Sequence, residues 1–564
     1  MNRKRLVFFE STRRSPAFAS CQLAWQERMI ERLDAKLPSS FLPPASSAAL
    51  AAEEAGGRAR RWFRAASSSL SIIFTHRTSR RGSVGMSEKT LFFVSIVSFT
   101  LSFQVLAQEP SKAFRAGAAT SNITPPFGSS INGGMSDRKT THIHDELHAR
   151  CLVLDDDKTR LAFAVCDSCM VPREVTDQAK QFLADEGELS PENVLISATH
   201  THEAPTCTGV FQSDTVPGYP EFLAHRIADG IRRAVNNLQP ARIGWGVGQE
   251  PTQVFNRRWF MKEGFALTDP FGRGTDKVRM NPPAGSEMLD RPAGPIDPDV
   301  SIVSVQSKDG RPIAMLANYS LHYVGDSGPG AISADYFAIF ADRIQQLIGA
   351  DRLDPPFVGI MSNGTSGNIN NINFKTPRER RPTYGQMTHV AHTVADEAFR
   401  VYKSIKYHDS VPLRARTAKL ELGVRKPTAD EIARADQIVA KAKSENRELR
   451  GVEEIYARET VLIAKYPDHV ESIIQSLRIG DLGICAIPCE VFVEIGLELK
   501  AKSPFKSTFT ISLANGYNGY LPTPEHHALG GYETWRARSS YLEVGASPMV
   551  SAKLLELLDH LRKE

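Results

Sequence analysis

Three shortages narrow the function of this 564-residue chain before any motif is read. It has no large excess of either charge: 68 Lys/Arg stand against 64 Asp/Glu, a balance of +4. That surplus is local, because residues 1–85 hold 15 Lys/Arg against 6 Asp/Glu and leave the rest of the chain at −5. A mildly acidic body gives no basis for nucleic acid as a partner. Cysteine is sparse as well, with seven in all. Cys166-Asp-Ser-Cys169 has no second pair at zinc-finger spacing, which excludes a finger and leaves buried small side chains or a local disulfide. Long apolar runs are missing too: the stretch 91–106 is broken by Ser95, Ser98 and Ser102. A membrane span needs about 20 apolar residues. No internal repeat or low-complexity tract follows residue 107.

That broken run has another use. Met86–Ala107 reads MSEKTLFFVSIVSFTLSFQVLA, with Lys89 ahead of the apolar core and Val-Leu-Ala at its end. These are the marks of a cleavable export signal starting at Met86. Retention as an anchor is the other reading. The 85 residues before it are basic and rich in Arg, Ala and Ser, with RARRWFR at 58–64, and are set aside with it as no part of the folded protein.

From residue 113 onward apolar β-branched runs alternate with helical spacing, which predicts an α/β fold. Mixed central sheets flanked by helices would form one large domain over 113–564. Strands are expected at 149–157, 160–167, 193–200, 299–307, 312–322, 356–364, 413–424 and 471–488, and helices at 220–238, 335–349 and 386–405. Residues 427–466 break the alternation. Thr428 and Glu431 form a capping-box pattern, so a helical hairpin is expected there, either shaping access to a site or packing on the sheet.

The chemistry gathers at strand ends. Thr199-His200-Thr201-His202-Glu203 closes the run NVLISAT, and side chains at i and i+2 of a strand share a face, so both imidazoles could serve one site. Neutral imidazole is the commonest metal ligand. His322 closes another apolar strand. The run 356–364 leads into Asn363-Gly-Thr-Ser-Gly-Asn-Ile-Asn370, a loop that would expose Ser366. No Gly-x-Ser-x-Gly elbow surrounds that serine. A Ser366 nucleophile with His202 as its base is still a competing use of the same residues.

Taken together, these stretches resemble the neutral ceramidase family of zinc-dependent amidases. The likeness is carried by GAATSNITPP (117–126), IHDELHARCLVLDDD (143–157), NVLISATHTHEAP (193–205), the 296–322 segment, SNGTSGNIN (362–370), AIPCEVFVEIG (486–496) and ANGYNGYLPT (514–523). The resemblance implies one Zn2+ per chain held by His200, His322, Glu490 and Tyr520. It also implies that His202 transfers protons, that Arg257 lies in the pocket, that Tyr532 stabilises a developing oxyanion, and that Ser366 bonds substrate or water. Zinc with this ligand set would lower the pKa of its water to about 7.

Several positions depart from the family pattern. The serine loop lacks the usual neighbouring aspartate and proline, Glu203-Ala204 replaces Ser-Gly, and only 44 residues follow Tyr520, so the family's C-terminal domain is not expected here. The expected activity is hydrolysis of an amide in ceramide or another N-acyl lipid, with peripheral membrane contact compatible with that substrate. Two further readings stay open. One is the same mechanism on a small amide or ester; the other is an exported binding protein without activity. Oligomeric state leaves no mark in the pattern.

Overall fold

A computed structural model describes residues 113–564 apart from residue 188. The upstream basic segment and the export segment fall outside the described residues. The strands of the two large sheets are numbered here in chain order. The first sheet holds β1 (Arg115–Asn122), β2 (His148–Asp155), β3 (Arg160–Cys166), β4 (Val194–Ala198), β5 (Gln239–Gln249), β6 (Asp299–Ser307), β7 (Pro312–Tyr319) and β8 (Val358–Asn363). Their order is β8-β7-β6-β5-β1-β2-β3-β4. The halves meet where β1 pairs β5 through only Arg115↔Pro240 and Ala116↔Gln239. The second sheet runs β9 (Leu413–Gly423), β10 (His469–Ile479), β11 (Leu482–Ala486) and β12 (Ser507–Ile511). The single long strand expected over 471–488 is thus a hairpin, because Gly480 adopts φ +60° and turns the chain back.

The two-residue side-chain period of these strands builds the core. Leu161, Phe163 and Val165 of β3 face an inner core shared with Val303, Ile360, Leu477, Ile484 and Phe509 from both sheets. The alternate residues Ala162, Ala164 and Cys166 face outward onto α1 (Arg173–Asp185) and α2 (Tyr219–Asn236) through Val175, Leu183, Leu223 and Ile227. The β7 side chains Met315 and Ala317 likewise pack on α3 (Asp335–Ile348) and α4 (Gly385–Tyr402). Each large apolar side chain so buried stabilises the fold by about 1.5–3 kcal/mol. Strands covered on both faces are what near-continuous apolar runs demand, and the α/β class with mixed sheets and flanking helices is the one observed.

Between β9 and β10, which pair directly, the chain makes α5 (Ala429–Ser444) and α6 (Gly451–Ile463). The Thr428 side chain accepts from Glu431 N while the Glu431 side chain accepts from Thr428 N, closing the capping box. Further on come α7 (Val493–Lys502), α8 (Pro524–Leu529) and α9 (Ala546–Lys563). Among the described residues no helix is long and apolar enough to cross a membrane. The six described cysteines are buried and unpaired, Cys166 and Cys169 included, so the small-hydrophobe reading of that motif holds and the local disulfide does not.

Most neighbouring strands are antiparallel, but β3–β4, β7–β8 and β11–β12 are parallel. Parallel neighbours finish on the same side, so each pair delivers two chain segments to one place. Leu513 O accepts from Ala198 N at 3.1 Å, and Asn363 O accepts from Ser512 N at 3.0 Å, which ties the three pairs together at their carboxyl ends.

Candidate metal centre

Each parallel pair contributes to one buried cluster. From the β3–β4 ends come Cys169 and His200, from β7–β8 come His322 and Ser366, and from the segments after β11 and β12 come Glu490, Tyr517 and Tyr520. Glu490–Val491 and Tyr520–Leu521 form a parallel two-residue ladder with Glu490 directly opposite Tyr520. A Cβ on Gly367 would fall 2.6 Å from Glu490 O, so glycine there lets the serine loop lie against this ladder.

His200 and His202 do not share a strand face, contrary to the sequence-based expectation. β4 ends at Ala198, and His200 itself adopts φ +75°. The left-handed residue bends the chain so that both rings reach the same space: His202 Nε2 lies 3.3 Å from His200 Nε2. A Cβ on Gly133 would sit 2.3 Å from His202 Cγ, so only glycine permits that packing. Tyr323 stacks on the other side of His202, the two ring centres 3.6 Å apart.

The orientation of the imidazoles is informative. His200 Nδ1 contacts Cys169 O at 2.7 Å and His322 Nδ1 contacts Ser366 O at 3.0 Å. Carbonyls only accept, so each Nδ1 carries the proton and each Nε2 is left with its lone pair. Those two Nε2 atoms face each other at 3.1 Å. Glu490 Oε2 lies 3.2 Å from His200 Nε2 and 3.9 Å from His322 Nε2. It is buried and makes no well-formed hydrogen bond, while Tyr517 OH donates to the other oxygen, Oε1, at 3.0 Å.

Three lone pairs converging without donors suit a cation. Ligands about 2.0–2.1 Å from one tetrahedral ion are separated by about 3.3 Å, close to the spacing found. His200, His322 and Glu490 therefore fit a divalent metal. A second grouping, Cys169 with His200 and His202, is poorer, because Cys169 Sγ stands 3.8 Å from Nδ1, the nitrogen already committed to a carbonyl.

The electrostatics agree. Burial would push the His200 imidazole down, yet the Glu490 carboxylate outweighs it and holds it well above the ordinary histidine range. Burial would raise Glu490, but His200, Tyr520 and Arg257 bring it below the usual carboxylate value. A proton on His200 and a cation are alternative ways to satisfy the same carboxylate. Burial and the cations around them push His202 and His322 well down, so both are neutral.

The remaining sequence-derived residues lie beside this cluster. Arg257 Nη2 donates to Tyr520 OH at 3.0 Å and to Gly367 O at 2.8 Å, and Arg257 Nε pairs with Glu533 Oε1 at 2.8 Å. Tyr532 lines the cavity with its ring 5.9 Å from that of Tyr520, and burial beside Glu490 raises its phenol, keeping it a donor. Ser366 Oγ donates to Asn363 Oδ1 at 2.7 Å and sits 3.5 Å from His322 Nδ1. The cavity lined by Cys169, His200, His202, Glu490, Tyr520 and Tyr532 measures about 20 Å3, room for one water molecule.

The sequence pattern does not mark several residues beside the cluster: Tyr517, which orients Glu490; Glu533, which pairs with both Arg257 and Arg258; Cys169, whose carbonyl fixes His200; and Tyr323. Tyr517 was within reach, three residues before Tyr520 in the same segment, whereas the carbonyl of Cys169 leaves no side-chain signal.

Residues 114–380 match the family model described as neutral/alkaline non-lysosomal ceramidase, N-terminal. His200, His202, Arg257, His322 and Ser366 fall inside that stretch; Glu490, Tyr520 and Tyr532 lie beyond it. Neutral ceramidase of Mycobacterium tuberculosis is 22% identical over 496 residues, 75% of this chain and 74% of that protein. Neutral ceramidase A of Dictyostelium discoideum is 25% identical over 222 residues, 37% of this chain and 28% of that protein. The crystal structure of neutral ceramidase from Pseudomonas aeruginosa shares the fold, with a TM-score of 0.60 and 19% identity over 80% of this chain and 75% of that one. With its matched stretch and its shared fold, the chain belongs to the neutral/alkaline non-lysosomal ceramidase family.

Proposed function

We propose that this protein is a zinc-dependent hydrolase of an amide bond, with one Zn2+ held by His200, His322, Glu490 and Tyr520. The observation that carries the reading is the convergence of two Nε2 atoms and an orphaned carboxylate oxygen at 3.1, 3.2 and 3.9 Å. A zinc ion in that position supplies Lewis acidity and a water acidified to about pKa 7.

The chain's own residues divide the remaining work. His202, neutral and 3.3 Å from His200 Nε2, accepts the proton of the attacking water and returns it to the departing amine. Tyr532 donates to the carbonyl oxygen as charge develops there. Arg257 holds the Tyr520 phenol by a direct hydrogen bond. Ser366, fixed by Asn363, orients substrate or water. That commitment, and the His322 Nδ1 bond to the Ser366 carbonyl, speak against Ser366 as a nucleophile. A binding protein without activity would have no need for so costly a buried constellation.

The relatives are named as ceramidases, and the proposal extends to ceramide or another N-acyl lipid, reached by peripheral contact with a membrane after export through the segment that starts at Met86. One observation favours the variant with a smaller amide or ester: the cavity beside the imidazoles is small, about 20 Å3. Metal analysis of the purified protein, with a hydrolysis screen running from short amides to ceramide and His200→Ala as control, tests the reading. About one zinc per chain and activity lost in the variant are expected. No bound metal, or activity indifferent to the substitution, overturns it. Amino-terminal sequencing of the secreted protein tests export, which predicts a mature start just after Ala107.

A further inference from the structure

Val210 and Phe211 line the same cavity as His200, His202 and Glu490. They belong to a tight turn in which Ser213 N donates to Val210 O at 3.1 Å. Phe211 is 3% exposed and has φ +54°, the left-handed region that a bulky residue rarely adopts. Such a conformation persists only where its surroundings impose it.

The surroundings come from the helical hairpin. Phe211 O accepts from Arg458 of α6 and, at 2.9 Å, from Arg538 Nη2, while Gly209 O accepts from Arg538 Nη1 at 2.7 Å. Arg538 is itself held by Glu459 of α6 through contacts of 2.7 and 3.0 Å, and Glu459 is fully buried. Gln212 Nε2 donates to Leu449 O, in the loop joining α5 to α6, at 3.4 Å. The Phe211 ring lies 5.8 Å from that of Tyr456, also on α6. The turn that walls the cavity is therefore gripped along its length by the segment inserted between β9 and β10.

We propose that Phe211 sets the upper size of the acyl group admitted to the site, and that the hairpin enforces the limit by clamping its turn through Arg458 and the Glu459–Arg538 pair. The substrate class this selects is amides of short acyl chains. The inference rests on the hydrolase reading above and adds to it the residue that decides the substrate's length.

The test uses the full chain and N-acyl amides carrying acetyl, octanoyl or palmitoyl groups. Phe211→Ala is expected to raise kcat/KM for the longer chains relative to acetyl by about tenfold or more, and Arg458→Met to move the ratio the same way to a smaller extent. Phe211→Trp should keep the wild-type profile. Zinc content and melting temperature report whether each variant is folded, and Arg458→Met stands in if Phe211→Ala is not. An unchanged length profile in folded variants overturns the proposal.

A second readout does not depend on hydrolysis. Cys169 lines the cavity as a free thiol, so its alkylation by a bulky maleimide, followed by peptide mass spectrometry, should be slow in the wild type and faster in Phe211→Ala. If no amide of any length is cleaved by the wild type, the hydrolase reading falls, and the alkylation rates alone then decide whether Phe211 closes the cavity. Equal rates overturn that.

Discussion

Nε2 of His200 and Nε2 of His322 face each other across 3.1 Å, each ring turned there by a main-chain carbonyl at its other nitrogen. Two lone pairs so placed repel unless a cation or proton lies between them. The first prediction follows. Removing metal with a chelator should lower the melting temperature, and zinc at a hundredfold excess over its Kd should restore about 2.7 kcal/mol of stability. In His322→Ala the zinc-dependent part of that shift should vanish, which calorimetry with and without zinc measures.

Tyr517→Phe removes the donor to Glu490 Oε1 while leaving every candidate ligand in place. Groups that orient a metal ligand typically contribute about 10–100-fold to affinity. Competition with a chromogenic chelator should show weaker zinc binding of that order with little change in unfolding of the metal-free protein. Equal affinity would remove Tyr517 from the site.

Glu533 is fully buried between Arg257 and Arg258, with contacts of 2.8 and 2.6 Å. Glu533→Gln strands two buried guanidinium groups, so denaturant titration should show a loss of about 3–5 kcal/mol. Hydrolytic activity should fall as well, since Arg257 also holds Tyr520.

Lys180, on α1, is 5% exposed and burial pushes its pKa from 10.5 down to about 8. Its amine donates to Asn515 Oδ1 at 2.8 Å, an atom that also accepts from Ile196 N. Below pH 8 the amine is charged in both folded and unfolded chains, and the folded chain bears the full cost of burying it. Between pH 8 and 10.5 the unfolded chain binds the extra proton, so this group's contribution to stability rises with pH. Lys180→Met should therefore stabilise the protein at pH 7 by about 1–3 kcal/mol and abolish that rise, as thermal melts across the range would show.

The strands were legible because they are covered on both faces, which makes runs such as RLAFAVC continuously apolar. Their ends were less so: Gly480 cut one expected strand in two, and a glycine at one position does not tell a bulge from a reversal. Within the cluster, His200, His202 and His322 could be read from strand-end histidines. Glu490 and Tyr520 came only from family likeness, because a two-residue ladder has no periodicity to detect. The carbonyls of Cys169 and Ser366, which decide how the imidazoles point, are main-chain atoms that every residue possesses and no sequence pattern can mark.

The tie between the three parallel pairs has a consequence for how the protein comes to life. His200 and Tyr520 are separated by 320 positions in the chain, and the contacts that unite them are among the most sequence-distant in the fold. Loop closure over such distances is slow and falls late in folding. A chain still being made, or one with any of its sheets undocked, holds only fragments of the constellation. If the cluster holds zinc as proposed, competence to bind it would come only once the architecture is whole, and zinc uptake timed during refolding would mark the last step of assembly.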